Sequence, residues 1–309
     1  KSENNQVRVK KLPAYRGVIL DRNGKQLAIN ESSMNVYLAV EHYLDSEGLI
    51  DADLVEKSNT LLMDILGDEW AKKKDEEGGV YSSISEKIYS VYKESLYFSE
   101  VLIASDIDDQ TAIKIKSRSE DLVGVYIDNG NKRFYPERDI LSQILGYTGI
   151  AFAEDVENLD YIQPTDVIGR TGLEREYDKD LLGEHGEIAW EVDAYGKTIS
   201  KEGYIIKEAV PGKNLYLTID LDLQKELYEI MKESVAEYKA QGGAIVIQNP
   251  NNGEILAIVS YPSYDNNLFV GGISLDQYNG LLSNKGNPLL NRAIAAQMPP
   301  GSTFKTIVA

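Results

Sequence analysis

Alternation of apolar and polar residues marks the two ends of the chain, and helical spacing marks the stretch between them. Lys1 to Tyr15 reads as a linker, or as an extended strand beginning at Val7. Arg16 to Leu20 and Leu27-Ala28 flank Asn23-Gly24, a dipeptide suited to a type I′ hairpin turn. Asn35 to Val40 reads as a further strand. From Glu41 to about Ser119 the period changes. Leu54, Leu61, Leu62, Ile65 and Leu66 precede Gly67 at helical spacing; Ile84, Ile88, Val91 and Tyr92 repeat it, and Thr111 to Lys116 opens a third helical piece. The charge run Lys72 to Glu77 reads as solvated surface.

Strand character returns at Val123 to Ile127. A short helix is expected over Asp139 to Leu145, closed by Gly146. Another is expected from Gly169 onward, with Tyr177 and Leu181-Leu182 on its apolar side and Gly183 at its end. Ile188 to Val192 and Lys197 to Ile206 read as strands around the turn Ala194-Tyr195-Gly196. After Pro211-Gly212, Leu215, Leu217 and Ile219 alternate as in a half-buried strand. Leu223, Leu227, Ile230, Met231 and Val235 mark a helix ended by Gly242-Gly243. Ala244 to Ile247 and Glu254 to Ser260 form a hairpin through Pro250-Asn251-Asn252-Gly253. A second domain, a helix on an antiparallel sheet, is therefore expected from about residue 212.

The totals narrow the chemistry. With 309 residues there is chain enough for two domains, each with its own core. No cysteine is present, which excludes disulfides, thiolate nucleophiles and cysteine-ligated metals. His42 and His185 are the only histidines, too few for a His-rich metal site, and His185 sits in a turn-like Gly-Glu-His-Gly setting. A net charge of −18 argues against nucleic acid, whose binders need a basic footprint. No apolar run has transmembrane length and no signal peptide is seen. The chain starts at Lys1 with a polar segment, so an upstream start, with a membrane anchor, is expected. No cofactor is implied: the glycine cluster Gly169-Arg170-Thr171-Gly172 lacks both the lysine step of a P-loop and the spacing of a dinucleotide fold.

The candidate chemistry lies in Pro299-Pro300-Gly301-Ser302-Thr303-Phe304-Lys305. Pro-Pro-Gly stops the preceding element and sets a helix start. Ser302 and Lys305 then lie one turn apart on one face. A serine hydroxyl needs a neighbouring base to act as a nucleophile, and an amine held neutral can be that base. S-x-x-K arises by chance on the order of once in a chain this long. Ser90-Val91-Tyr92-Lys93 is such a copy, on a polar helical stretch with no breaker before it. The bland reading of Ser302 is a helix-capping serine with an exposed lysine one turn on.

Set in order, these segments resemble the class B penicillin-binding proteins, the membrane-anchored transpeptidases that cross-link peptidoglycan. The S-x-x-K pattern belongs to the signature set of penicillin-binding proteins. Arg16-Gly17-Val18-Ile19-Leu20-Asp21-Arg22-Asn23-Gly24 is similar to the hairpin opening the family's pedestal. Gly169 to Glu174, with Tyr177 and Leu181-Leu182-Gly183, is similar to a second pedestal motif. Thr218-Ile219-Asp220 with Leu223-Gln224 is similar to the approach to the catalytic domain. Pro262 to Asn267, Pro288 to Ala293 and Pro299 to Lys305 follow in family order. Phe269 to Ser274 points to the elongation type, penicillin-binding protein 2-like. Arg22, Asp21 and Glu174 are expected to make turn contacts or salt bridges rather than to take part in chemistry.

The resemblance implies an α+β fold. Residues 1–211 would be an elongated β-rich pedestal with a helical subdomain at about 41–121. Residues 212–309 would be the N-terminal portion of a transpeptidase α/β-sandwich domain. It implies Ser302 as acyl-enzyme nucleophile and Lys305 as general base, acting on D-Ala-D-Ala stem peptides and acylated by β-lactams. It implies an extracytoplasmic location with a single-pass anchor, and a polytopic membrane glycosyltransferase as partner. The family completes its site with S-x-N and K-T-G after S-x-x-K. Ser33-Met34-Asn35 and Gly196-Lys197-Thr198 both come too early to serve, so the chain is expected to be truncated shortly after S-x-x-K and inactive alone. Two other readings are a scaffold module that binds the glycosyltransferase, and a β-lactam sensor or hydrolase.

Overall fold

The computed structural model describes residues 6–45, 48–67, 100–162, 166–192, 203–297, 299 and 301–308. The strands in chain order are β1 (Gln6–Leu12), β2 (Ile19–Leu20), β3 (Gln26–Ala39), β4 (Glu100–Ala104), β5 (Val125–Phe134), β6 (Thr148–Ile150), β7 (Val167–Gly169), β8 (Gly186–Val192), β9 (Tyr204–Lys207), β10 (Leu215–Tyr216), β11 (Gly243–Gln248) and β12 (Ile255–Tyr261). Of the two readings of the opening segment, the strand is the one observed.

The long strand β3 is the spine of the N-terminal part. It pairs antiparallel with β2 near its start, with β4 near its end and with β5 over Ile29 to Leu38. The pattern-based strand Asn35 to Val40 is its apolar end only. The polar stretch Asn30 to Asn35 belongs to it as well, because cross-strand pairing with β5 satisfies its backbone whatever its side chains are.

The hairpin at Asn23-Gly24 forms, but not with a type I′ turn. Only Gly24 has positive φ, at +84°, whereas type I′ needs two such residues. The Asp21 carboxylate decides this. Its Oδ1 accepts the N–H groups of Asn23 (2.7 Å) and Lys25 (2.8 Å) and holds the turn right-handed up to Gly24.

The stretch read as helical holds Ala52–Leu66, capped by Asp51 and closed by Gly67, and Asp109–Ser117, capped by Asp108. It also holds β4, which the helical reading missed. Val101 and Ile103 of β4 pack on Val36 and Leu38 of β3, with Val55, Leu62 and Ile115 from the helices closing the core. The helices are thus built onto the sheet. The expected helix at Ile84 to Tyr92, the Ser90 copy of S-x-x-K, the charge run and Gly196-Lys197-Thr198 lie outside the described residues.

The helix expected after Gly169 is two short ones, Gly172–Glu176 and Asp178–Leu182, meeting at Tyr177. Leu181 and Leu182 are buried as expected, but Tyr177 is exposed, because the break turns it outward. Strands β1, β8 and β9 make a separate antiparallel sheet, and β6 pairs with β7.

In the C-terminal part the helix Leu221–Glu237 packs on the β11–β12 hairpin. It ends at Glu237, with Tyr238 as its C-cap, before Gly242 is reached, and Lys239 just beyond takes a positive φ of 51°. The expected strand Leu215 to Ile219 is regular over only two residues, but these pair in parallel with β2. A second core follows from that pairing. Ile19, Leu27, Tyr135, Leu141 and Leu181 bury with Ile219 and Leu221, and Ile255 and Ile258 pack against them. The chain comes very close to itself here: a Cβ on Gly212 would lie 1.8 Å from the Leu181 carbonyl oxygen, so no side chain fits.

Candidate active-site segment and its supports

Ser302 lies in a 3₁₀ turn, Gly301–Phe304, which runs directly into the α-helix Lys305–Val308. Helical winding is continuous from Gly301 onward, so Ser302 and Lys305 fall one turn apart, as Pro-Pro-Gly and the spacing predict. Both side chains are exposed, as are Phe304, Ile307 and Val308. The described contacts include no Ser302–Lys305 hydrogen bond.

The segment leading to this turn is anchored by side chains that cap backbone. Asn291 caps the helix Arg292–Ala295 through the N–H of Ala293. Ser260 Oγ accepts from Arg292 N–H (2.9 Å) and donates to the Leu290 carbonyl (3.1 Å). The Arg292 guanidinium folds the preceding loop back by donating to the carbonyls of Gly286 and Asn287. Burial pulls its pKa down.

Residues 135–147 of the N-terminal part are held against this C-terminal part by amide side chains. Gln224 is fully buried. Its Nε2 donates to the carbonyls of Ile140 (3.0 Å) and Ile258 (2.9 Å), and its Oε1 accepts from Ile258 N–H (2.8 Å). Asn267 pairs with the backbone of Tyr135 through both N–H and C=O, each at 2.9 Å. Asn266 donates to the carbonyls of Ser142 and Gly146. Gln143 Nε2 donates to Pro288 (2.8 Å) and Pro262 (3.1 Å). Lys225 pairs with Glu137, and Tyr228 donates to Asp139 at 2.7 Å while accepting from Ser263. Burial pushes the Tyr228 phenol up, and it stays protonated.

The acidic and basic residues of the pedestal motifs are structural, as expected. Glu174 is fully buried. Its Oε2 takes Arg16 Nε and its Oε1 takes Arg133 Nε, both at 2.7 Å, and Tyr135 OH donates to it at 3.3 Å. Asp178 faces Arg16 at 2.8 Å and accepts the Gly169 N–H. Burial pulls the Arg16 pKa down, but the two carboxylates outweigh it and raise it. Asp21 Oδ2 accepts the Leu221 N–H (3.1 Å) at the start of the long helix, so the hairpin turn and the C-terminal part share one carboxylate. Arg22 reaches Glu254 at only 3.6 Å, with both side chains partly exposed.

The rejected candidates have structural settings. Ser33 and Asn35 lie within β3, where Ser33 donates to Asn35 and Asn35 accepts the Asp106 N–H. His42 is exposed. His185 Nδ1 accepts the Ala14 N–H (3.0 Å), so its proton sits on Nε2, 3.0 Å from the buried Asp166 carboxylate that also takes Lys11. Among the described residues no cluster of three or more metal-ligating side chains occurs, and no helix is long and apolar enough to cross a membrane.

What sequence reading missed is the amide set, Gln143, Gln224, Asn266 and Asn267. Gln224, Asn266 and Asn267 lie inside motif segments, but nothing in a linear pattern says which distant carbonyl a buried amide will meet.

A family model for the penicillin-binding protein dimerisation domain matches residues 11–217, and one for the penicillin-binding protein transpeptidase domain matches residues 243–309. The pedestal, with its buried ion pairs, and the S-x-x-K turn that follows it thus have one explanation: the chain belongs to the penicillin-binding proteins. Within that family it is of the class B, elongation type. It is 30% identical to the peptidoglycan D,D-transpeptidase MrdA of Escherichia coli K12 over 317 aligned residues, covering all of this chain and 45% of that protein. The MrdA of Haemophilus influenzae is 32% identical over 316, with 44% of it covered. Penicillin-binding protein 3 of Bacillus subtilis is 30% identical, with 41% covered. The chain therefore spans less than half the length of these relatives. The solved complex of a penicillin-binding protein, PBP2, with MreC from Helicobacter pylori superposes with a TM-score of 0.71 at 29% identity, covering 97% of this chain and 52% of that one.

Proposed function

We propose that these residues are the pedestal, 1–211, and the leading part, 212–309, of the catalytic domain of a peptidoglycan D,D-transpeptidase of cell elongation. The observation that carries the reading is the continuous helical turn joining Ser302 to Lys305, inside the segment that matches the transpeptidase family. Lys305 takes the proton of the Ser302 hydroxyl. The alkoxide attacks the carbonyl of the penultimate D-alanine of a stem peptide. The tetrahedral intermediate collapses with release of D-alanine, which takes the proton, and leaves an ester on Ser302. An amine of a neighbouring stem peptide resolves the ester and forms the cross-link. β-Lactams open on the same oxygen.

The test is labelling by a fluorescent penicillin. The full-length protein is expected to be labelled at one residue, and Ser302→Ala to abolish labelling. Labelling that persists in Ser302→Ala would show that another residue is the nucleophile. The 309 residues alone contain no S-x-N or K-T-G after Ser302, and loss of oxyanion donors costs on the order of 10²–10³ in rate. Stoichiometric labelling of this chain by itself is therefore not expected.

The full protein is placed at the bacterial cell membrane by a single-pass anchor, with these residues outside the cytoplasm. Its pedestal is proposed to contact a polytopic glycosyltransferase; contact with an MreC-like partner is a separate reading, supported by the structural neighbour solved with MreC.

A further inference from the structure

We propose that His185 is a pH-responsive latch at the joint between the β1–β8–β9 sheet and the rest of the pedestal. That sheet lends no residue to the three apolar cores found among the described residues. Its attachment therefore rests on connecting chain and on polar contacts, and several of these meet at one point. His185 stands directly before β8, whose pairing with β1 closes at Leu12 opposite Gly186. Its Nδ1 accepts the N–H of Ala14 at 3.0 Å, and its Nε2 lies 3.0 Å from Oδ1 of Asp166. The same carboxylate oxygen takes Lys11 of β1. Asp166 is buried and stands just before β7, and its carbonyl accepts the N–H of Ala151, just after β6.

Ala14 is where the sheet hands over to the core. Pro13 before it has no N–H. The three residues after it are fixed: the Tyr15 carbonyl accepts from Gly212, Arg16 faces Glu174 and Asp178, and Gly17 donates to Leu181. An imidazole accepts at Nδ1 only while that nitrogen carries no proton. Imidazoles gain their second proton between about pH 8 and pH 5. Protonated at both nitrogens, the ring turns a donor toward the Ala14 N–H, and that hydrogen bond is lost. The Asp166 carboxylate attracts the imidazolium, so Nε2 keeps its place. The charged groups at the latch, among the described residues, are Lys11 and Asp166, then Glu187 opposite Lys11 across the β1–β8 ladder, Glu184 paired with Lys207 at 3.4 Å, and Glu208, whose backbone passes Gly186. Acid thus leaves the ring on Asp166 and frees the chain at Ala14, and the sheet gains freedom relative to the core. With a membrane anchor upstream of β1, as proposed above, the joint lies on the path from anchor to pedestal; the latch itself does not depend on that reading.

The experiment is hydrogen exchange, read by mass spectrometry on the full-length protein at about pH 8 and about pH 5 and corrected for the intrinsic rate at each. The peptide over Leu12–Gly17 reports the joint. Peptides over β3 and β5, which contain no histidine, are the internal reference. Loss of one hydrogen bond predicts about 3- to 10-fold weaker protection of Leu12–Gly17 at the lower pH, with β3 and β5 unchanged. His185→Asn places near the Nδ1 position an acceptor that does not titrate, and is expected to protect Leu12–Gly17 equally at both pH values. Thermal unfolding checks that the variant is folded. Equal protection of Leu12–Gly17 in wild type at the two pH values overturns the proposal, as does a matching loss in β3 and β5, which would be global weakening. A pH dependence that persists in folded His185→Asn overturns the assignment to His185; where that variant does not fold, His185→Gln is put to the same comparison.

Discussion

Glu174 is the residue on which the pedestal's electrostatics turn. Its carboxylate is out of solvent and divided between Arg16 and Arg133. Removing it strands two buried guanidinium groups, with only Asp178 left to face Arg16. Breaking a buried pair in this way costs about 3–5 kcal/mol. Glu174→Ala is expected to lose that much in urea unfolding; a loss below about 1 kcal/mol would mean that the ion pairs behave as exposed ones. Asp21 carries a pH dependence. Burial pushes its carboxyl up, but the N–H groups of Lys25, Leu221 and Asn23 outweigh this and hold it below the usual carboxylate value. Its lowered folded pKa means that the contribution is present above the unfolded value of 3.8 and is lost as pH falls below it. Stability of Asp21→Asn is therefore expected to fall less than that of wild type between about pH 4 and pH 2; parallel curves would remove Asp21 from the account. The motif residues were legible as structural from their type and setting. Which partner each takes was not, since Arg16 and Glu174 meet across 158 positions of chain.

Elements were legible where their own residues decide them. Ala52–Leu66 has an aspartate at its start, a glycine at its end and a leucine stripe between, all local signals. The β11–β12 hairpin is equally local, with two apolar runs and a Pro-Asn-Asn-Gly turn. Strand β4 and the polar half of β3 were not legible, because their strand form depends on the neighbours they pair with. The helix Leu221–Glu237 shows both cases. Its apolar period is plain in sequence, yet its docking depends on Gln224, which serves carbonyls from two different elements. Gln224→Leu would leave the carbonyls of Ile140 and Ile258 and the N–H of Ile258 without their side-chain partner. A buried unsatisfied group costs about 1–3 kcal/mol, so a loss of at least about 2 kcal/mol is expected in chemical denaturation. A neutral substitution would show that these groups find other partners.

At the scale of the molecule, one core crosses the expected boundary at residue 212. Ile19, Tyr135 and Leu141 bury with Ile219 and Leu221, and β2 pairs with β10. Pedestal and catalytic part are thus joined by packing, by sheet pairing and by the amides around residues 135–147. The partner proposal also belongs here. Full-length protein extracted from membranes is expected to carry a glycosyltransferase with it, and replacing residues 1–211 by an unrelated spacer is expected to abolish the association. Retention after that exchange would move the contact elsewhere.

The sequence by itself determined the local features: helix stripes, caps, hairpin turns and the Ser302–Lys305 spacing. These depend on neighbours within a few positions, and a linear reading sees them. Only the tertiary structure decided that Asp21 also takes the N–H of Leu221, that β4 is a strand, and that Glu174 sits between two arginines. It alone joined Gln143 of the pedestal to the loops at Pro262 and Pro288. Those outcomes depend on which distant backbone groups and charges must be satisfied once water is removed, and burial is a property of the folded chain.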